Sequence, residues 1–200
     1  MFELLLHPDV LIEVVGLFGV FAIIFAETGF LFGIFFPGDS LLFTAGLFAA
    51  LGKIDLLTLI IGSMFFAILG DSVGYYTGRK FGTTLFKRED SIFFKKSYLD
   101  KAKSYFNRYG AMAIIIARFV PGVRTITPMV AGSVEMNYKS FLFCNIIGAI
   151  IWVLSMVLLG YFLVSKIENI DSYILPIALA IIVLSLIPTA IGILKAKNRI

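Results

Sequence analysis

Four ionisable residues lie inside stretches of this chain that are otherwise apolar. Glu27 and Asp39 belong to one stretch, and Arg118 and Arg124 belong to another. A charged side chain at bilayer depth costs several kcal/mol unless other groups compensate it. The guanidinium fork matches a phosphate, and a carboxylate beside it can exchange a proton. The pattern predicts a polar cavity in which Arg118 and Arg124 bind a phosphate while Glu27 and Asp39 couple binding to protonation.

A structural role is the alternative, in which the two carboxylates pair with the two guanidiniums only to hold the segments together. Asp71, in "GDSVGYY", is a fifth candidate that either supports the site or hydrogen-bonds a neighbouring helix. Two Pro-Gly pairs break the same stretches, at Pro37 and Gly38 and at Pro121 and Gly122. Such breaks expose helix N-termini, which suit a phosphate.

The composition is that of a membrane protein. The chain has 200 residues, 60% of them apolar, and its mean hydropathy is +0.98, far above a soluble domain. Residues 141–164 and 173–194 carry no charge, and each stretch exceeds the roughly 20 residues that a transmembrane helix needs. Residues 55–78 form a third predicted span, whose glycines at 70, 74 and 78 share one helix face and allow close helix packing.

A basic segment follows that third span. Residues 79–109 hold nine of the 17 Lys and Arg residues, so the positive-inside rule predicts that this segment is cytoplasmic. Apolar residues recur at helical spacing between its lysines, which indicates an amphipathic helix on the membrane surface. The net charge of +4 therefore favours anionic lipid headgroups over nucleic acid as partner.

The broken segments, 16–50 and 111–132, are either kinked spans or re-entrant hairpins. If 111–132 is re-entrant, Lys139 and the basic C-terminus lie on the cytoplasmic side and the 165–172 loop lies on the outer side, as the positive-inside rule requires. If 111–132 crosses the membrane fully, Lys139 and the basic C-terminus lie on the outer side, against that rule. The first broken segment must then end on the outer face, with Lys53 outside as a single exception. The side of the N-terminus stays open.

The two broken segments also resemble each other. "FFPGDSLLFTAG" and "FVPGVRTITPMVAG" share an aromatic residue, Pro-Gly, a nearby polar residue and a closing Ala-Gly. Because the two segments are expected to enter the membrane from opposite sides, the pattern is that of an inverted repeat, in which broken helices meet near the bilayer midplane. Pro37 and Gly38 are expected to end a half-helix, with Asp39 facing the arginines of the other hairpin.

The predicted fold is therefore an all-α polytopic membrane protein that forms a single membrane domain over residues 1–200. It consists of two opposed re-entrant helical hairpins, transmembrane helices and a cytoplasmic amphipathic helix. We expect no cofactor and no metal, and Trp152, in the middle of a span, is expected to serve packing.

Three motifs resemble the DedA family of bacterial membrane proteins, also called the SNARE-associated or VTT-domain family. They are "ETGFLFGIFFPGDSLLFTAG" at 27–46, "GDSVGYYTGRKFG" at 70–82 and "ARFVPGVRTITPMVAG" at 117–132, and the likeness runs from about residue 27 to 161. The resemblance implies two facing re-entrant hairpins in a transporter-like architecture. It also implies that the essential acidic pair and arginine pair of that family fall on Glu27, Asp39, Arg118 and Arg124.

The function that the resemblance implies is lipid translocation driven by the proton-motive force. The substrate would be undecaprenyl phosphate or a phospholipid, the location the bacterial inner membrane, and the role membrane and cell-envelope homeostasis. Protons are expected partners, and a homo-oligomer is left open.

Two other function classes remain at this point. A membrane scaffold that affects lipids indirectly is compatible with the sequence. A lipid-phosphate enzyme is weakly supported, because the single histidine, His7, and the single cysteine, Cys144, are poorly placed for a nucleophile at membrane depth. We therefore expect a protein that is not an enzyme.

The arginine fork generates a first prediction. Arg124→Lys keeps the positive charge but loses the planar pair of donors, so it should weaken binding of a lipid phosphate much more than it lowers the stability of the fold. Lipid transport in vesicles and protein abundance in the membrane are measured on the same preparation. Normal transport at normal abundance would remove bidentate recognition from the mechanism.

Overall fold

The structure is a computed structural model that describes residues 8–30, 37–85, 105–106, 108–120 and 123–164. Six helices have described bounds, and these residues contain no strand. The helices are α1 (Pro8–Gly29), α2 (Gly38–Ala50), α3 (Leu56–Leu85), α4 (Met112–Arg118), α5 (Val123–Ser133) and α6 (Tyr138–Val164). Most of the predicted amphipathic helix, Pro121, Gly122 and the predicted span 173–194 lie outside the described residues.

Two of the helices are long and apolar enough to cross a membrane. They provide the candidate spans Leu56–Phe81 in α3 and Tyr138–Leu163 in α6, each of 26 residues. At 1.5 Å per residue such a span measures about 39 Å, more than the hydrocarbon core. The α3 helix continues to Leu85, into the segment expected to be polar surface, because a helix need not end where the membrane does.

One face of α3 is apolar and exposed in the described part of the chain. Large exposed side chains recur there at every fourth position, namely Leu57, Ile61, Phe65 and Leu69. A spacing of four keeps them on one side of the helix. A stripe of this kind is unfavourable in water and suits contact with lipid chains.

The α3 helix begins at a side-chain cap. The carboxylate of Asp55 accepts hydrogen bonds from the backbone N–H and from the hydroxyl of Thr58, both at 2.7 Å. These bonds satisfy a donor of the first helical turn. They also lower the pKa of Asp55 below its ordinary value, the hydroxyl bond contributing most.

Three helices are too short to cross the membrane. The α2, α4 and α5 helices have 13, 7 and 11 residues, or about 20, 10 and 17 Å, against a hydrocarbon core of about 30 Å. Each therefore covers only part of the hydrocarbon core.

The expectation that Pro37 and Gly38 end a half-helix is wrong, because they begin one. Helix α2 starts at Gly38 with Pro37 as its N-cap, and α1 has already ended at Gly29. Helix α5 likewise starts at Val123, directly after the second Pro-Gly pair. Proline suits the start of a helix because the first turn needs no backbone N–H from it and its fixed φ is helical.

The described residues form two compact units. The first is made by residues 8–24, 37–63 and 153–164, and the second by 25–30, 64–85 and most of 105–152. In the first unit, Gly46 of α2 and Gly160 of α6 pack reciprocally: a Cβ on Gly46 would meet the Val157 backbone, and one on Gly160 would meet the Phe43 backbone.

In the second unit the glycine face predicted on α3 makes the close contacts expected of it. A Cβ on Gly70 would meet Thr28 and the Phe25 carbonyl of α1, and one on Gly78 would overlap the Met129 carbonyl of α5. The closeness is mutual, since α5 carries its own glycine, Gly132, against the Tyr75 carbonyl. Buried apolar side chains from α3, α4, α5 and α6 fill the space between these helices, namely Tyr75, Ile114, Ala131, Phe141 and Cys144.

A glycine pair tests this packing. Gly132→Ala places a methyl group against the Tyr75 carbonyl oxygen, and the backbone shift it forces should cost about 1–3 kcal/mol of stability. Gly19→Ala is the matched control, because nothing lies within 4 Å of a Cβ there. Alanine is the better helix former by about 1 kcal/mol, so the control should be neutral or stabilising.

Thermal unfolding in detergent measures both variants. Equal unfolding temperatures for Gly132→Ala and Gly19→Ala would contradict the close approach of α3 and α5.

Candidate functional site

Four charged residues of the second unit come from four different helices. Glu27 lies near the end of α1 and Asp71 in the middle of α3, while Arg118 is in the last turn of α4 and Arg124 in the first turn of α5. The two arginines thus lie on either side of the break between α4 and α5. The cation in the last turn of α4 also suits the negative end of that helix.

Arg118 is held by two oxygen atoms. Its Nη1 donates to Oδ2 of Asp71 at 2.5 Å and to Oδ1 of Asn145, in α6, at 2.6 Å. The side chains of Arg118 and Asp71 are 5% and 7% exposed, and Asn145 is fully buried. This is a buried ion pair with a neutral second acceptor.

The second guanidinium nitrogen of Arg118 differs from the first. Its Nη2 is buried and has no hydrogen-bond partner among the described residues. A buried donor left unpaired costs about 1–3 kcal/mol or more when it is charged, so this atom marks a place where the structure favours an additional acceptor.

Arg124 forms the other ion pair. Its Nη2 donates to Oε1 of Glu27, and the two side chains are 10% and 3% exposed. Arg118 and Arg124 are therefore both neutralised by carboxylates, one from α3 and one from α1.

Trp152 lies against both guanidinium groups. Its ring centroid is 5.4 Å from Cζ of Arg118 and 4.8 Å from Cζ of Arg124, within the range of a cation–π interaction. The indole is almost completely buried. One aromatic ring thus contacts both cations.

A small cavity lies at the centre of this arrangement. Its volume is about 10 Å³. Its lining consists of Thr28, Asp71, Arg118, Arg124, Thr127, Pro128 and Trp152. A single water needs a cavity of at least roughly 10–15 Å³, so a phosphate does not fit unless the surrounding groups move.

Another cavity is larger but chemically different. It has a volume of about 480 Å³ and lies where α5 is followed by α6. Its described lining is Phe106, Gly110, Ala111, Val134, Met136, Asn137 and Ser140, with no charged side chain. An anion would find no compensating charge in that lining, so the candidate site is the small cavity.

Helix α6 presents one face to the site. Asn145, Gly148 and Trp152 are separated by three and four residues and so lie on the same side of the helix. Gly148 leaves room for the Arg118 side chain, whose Cδ would be 3.2 Å from a Cβ at that position. The glycine allows the arginine stem to pass between the amide and the indole.

The structure brings together four of the predicted site residues: Glu27, Asp71, Arg118 and Arg124. Asp39 lies in the first turn of α2, which belongs to the first unit, and Pro37 and Gly38 lie at the start of that helix. Its expected role beside the arginines stays a prediction. Pro121 and Gly122 lie outside the described residues.

Sequence reasoning missed two members of the site. Asn145 is not among the predicted site residues, although an amide within an apolar span is itself a signal, since a buried polar group needs a partner. Trp152 was expected only to pack, and it does so against two cations. Spacing along the chain does not reveal which helix an indole faces.

Chemically, the site contains two buried ion pairs, each between one arginine and one carboxylate. Among the described residues, no group of three or more His, Cys, Asp or Glu side chains is arranged to hold a metal ion. The cluster can exchange protons on its carboxylates and can offer its guanidinium groups to an oxyanion once they are released.

Comparison with known proteins gives consistent matches. Residues 36–162 match the VTT domain. The chain is 42% identical to Protein DedA of Escherichia coli over 98% of this chain and 93% of that protein. It is 42% identical to an uncharacterised membrane protein of Mycobacterium leprae, over 85% of this chain and 76% of the relative. It is also 35% identical to the inner membrane protein YqjA of Escherichia coli, over 81% of this chain and 73% of that protein. No solved structure matches the chain.

The buried Arg118–Asp71 pair generates a double-mutant prediction. Asp71→Leu and Arg118→Met each leave an unpaired buried charge, so each should cost about 3–5 kcal/mol of stability. The double variant removes both charges and should recover most of that loss. Lys139→Met, at an exposed position, is the control for removing a cation.

The unfolding temperature of each purified variant in detergent is the measurement. If the losses of the two single variants simply add in the double variant, the two residues do not interact.

Proposed function

The chain belongs to the VTT-domain family, which includes DedA, and we propose that it moves a lipid phosphate across the bacterial cytoplasmic membrane, coupled to protons. The observation that carries the proposal is the presence of two buried arginine–carboxylate pairs against one indole. Its cavity, of about 10 Å³, is too small for a phosphate, so binding requires the pairs to separate.

Protonation is the step that separates them. A proton on Asp71 or Glu27 removes the negative charge that holds Arg118 or Arg124, and the guanidinium then becomes available to phosphate oxygens. We add Asp71 to the predicted coupling residues, because its carboxylate contacts Arg118; the predicted role of Asp39 stays part of the proposal. Glu27 keeps its predicted role, with Arg124 as its partner.

Charge balance favours a phosphate monoester as substrate. A monoester carries about −1.5 to −2 charges at neutral pH, and two released arginines carry +2. Two protons and a dianion together bring no net charge into the membrane, where an uncompensated charge is costly. Undecaprenyl phosphate is such a monoester, whereas common phospholipids are diesters with a single negative charge on the phosphate.

The short helices support a path for the headgroup. We propose that the segments around α2 and around α4 and α5 are re-entrant hairpins of an inverted repeat, since none of these helices is long enough to span the bilayer. Only the headgroup would cross this polar interior, and the lipid chain would stay in the bilayer. In this orientation residues 79–109 and the C-terminus are cytoplasmic.

Transport rather than catalysis is the proposal for this site. Cys144, the single cysteine, packs in the apolar cluster with Tyr75 and Phe141, which does not suit a nucleophile. No His or Cys lines the small cavity among its described residues.

Reconstitution tests the proposal. Purified protein is placed in liposomes that contain undecaprenyl phosphate, and the lipid's accessibility from outside is followed with and without a pH gradient. We expect gradient-dependent movement that falls about tenfold or more in Arg118→Ala, because a charge-assisted hydrogen bond to phosphate is lost. Arg108→Ala, which removes an exposed arginine stacked on Tyr109, is the matched control and should transport normally.

Movement of phospholipid but not of undecaprenyl phosphate would overturn the monoester assignment. An absence of movement for both lipids would overturn transport itself and favour a scaffold.

A further inference from the structure

We propose that Asn145 is a positioning residue that keeps Arg118 in place after Asp71 has taken up a proton. The inference rests on the proposed function and concerns the same site. It assigns a separate task to each of the two acceptors that share one nitrogen of the arginine.

The two acceptors differ in chemistry but meet the same atom. Nη1 of Arg118 donates to Oδ2 of Asp71 and to Oδ1 of Asn145, at nearly equal distances of 2.5 and 2.6 Å. The carboxylate loses its charge on protonation, whereas a primary amide does not titrate. Asn145 is therefore the acceptor that remains unchanged through a protonation cycle.

The orientation of the Asn145 amide is set by its other end. Its Nδ2 donates to the backbone carbonyl of Ile68 at 3.3 Å, one helical turn before Asp71 in α3. With the amino group bound there, Oδ1 must face Arg118. The amide is fully buried, so no bulk water replaces these contacts.

This arrangement leaves the other guanidinium nitrogen for a ligand. Nη2 of Arg118 is buried without a partner among the described residues, and Arg118 lines the small cavity. With Nη1 held by Asn145 and the guanidinium held against Trp152, protonation of Asp71 weakens the electrostatic restraint on Arg118 without releasing its position. The phosphate then meets a preorganised donor, which lowers the cost of binding.

The charged groups around Arg118 come from each helix packed at the site. Among the described residues these are Glu27 of α1, Asp71 of α3 and Arg124 of α5. Helix α6 contributes the neutral Asn145 and Trp152. Asp71 is the carboxylate in contact with Arg118, so a substitution that imitates its protonated form isolates the step.

A binding experiment separates positioning from a structural role. Purified protein binds radiolabelled farnesyl phosphate at alkaline and acidic pH, about 8 and 6, on either side of neutrality. Asp71→Asn imitates protonated Asp71 and should raise alkaline binding about tenfold or more over the wild type. Asn145→Leu should reduce binding about tenfold in the Asp71→Asn background, yet change it little at alkaline pH when Asp71 is intact.

A charge swap keeps the test decisive if the leucine variant does not fold. Asp71→Asn combined with Asn145→Asp moves the carboxylate from α3 to α6, against the same Nη1. The swapped protein should regain the wild type's preference for acidic pH, which Asp71→Asn alone loses. Cys144→Ala changes the neighbouring buried residue of α6, within the apolar cluster, and should bind as the wild type does.

The outcomes are distinguishable. Unchanged alkaline binding in Asp71→Asn would overturn the displacement step of the proposed function. Increased binding in Asp71→Asn, with the same fold-loss from Asn145→Leu in both backgrounds, would show that Asn145 is merely structural. A swapped protein whose binding does not depend on pH would also overturn the positioning role.

Discussion

The neutralisation of two buried guanidinium groups is the constraint on which the second unit depends. Arg118 and Arg124 cannot lose their charge, so each must meet an anion wherever the fold buries it. The structure supplies Asp71 from α3 and Glu27 from α1. Four helices must therefore come together at one point. A shift of any one of these helices alters the ion pairs.

Close helix packing makes that meeting geometrically feasible. Short polar side chains reach their partners only if the helix backbones are near, and glycine is the residue that permits such approach. Gly70 brings α3 against α1, and Gly78 with Gly132 brings α3 against α5. Gly148 admits the Arg118 stem beside α6. The glycines and the ion pairs are thus parts of one arrangement. The glycines bring the helix backbones close enough for the charged side chains to reach each other.

The same arrangement links stability to function. A cluster that neutralises itself is stable while it is closed, and it has no room for a phosphate. A phosphate competes with the carboxylates for the positive charge of the same guanidinium groups, so the proposed cycle replaces one set of anions by another, with protons occupying the carboxylates in between. Trp152 and Asn145 change neither charge nor protonation state, and they hold the cations through that exchange.

Much of this protein follows from the chain alone. Composition and uncharged stretches determine a helical membrane protein, and the broken segments determine where the long helices stop. The rarity of charge in apolar sequence marks Glu27, Asp39, Arg118 and Arg124. These features are local, because hydrophobicity, helix breaking and the cost of a buried charge belong to the residue and its neighbours. Only the tertiary structure decided that Asp71 is the partner of Arg118, that Asn145 shares its nitrogen and that Trp152 lies against both arginines. Those contacts join positions far apart in sequence, and they depend on the rotation and depth of each helix, which backbone packing sets and residue spacing does not encode.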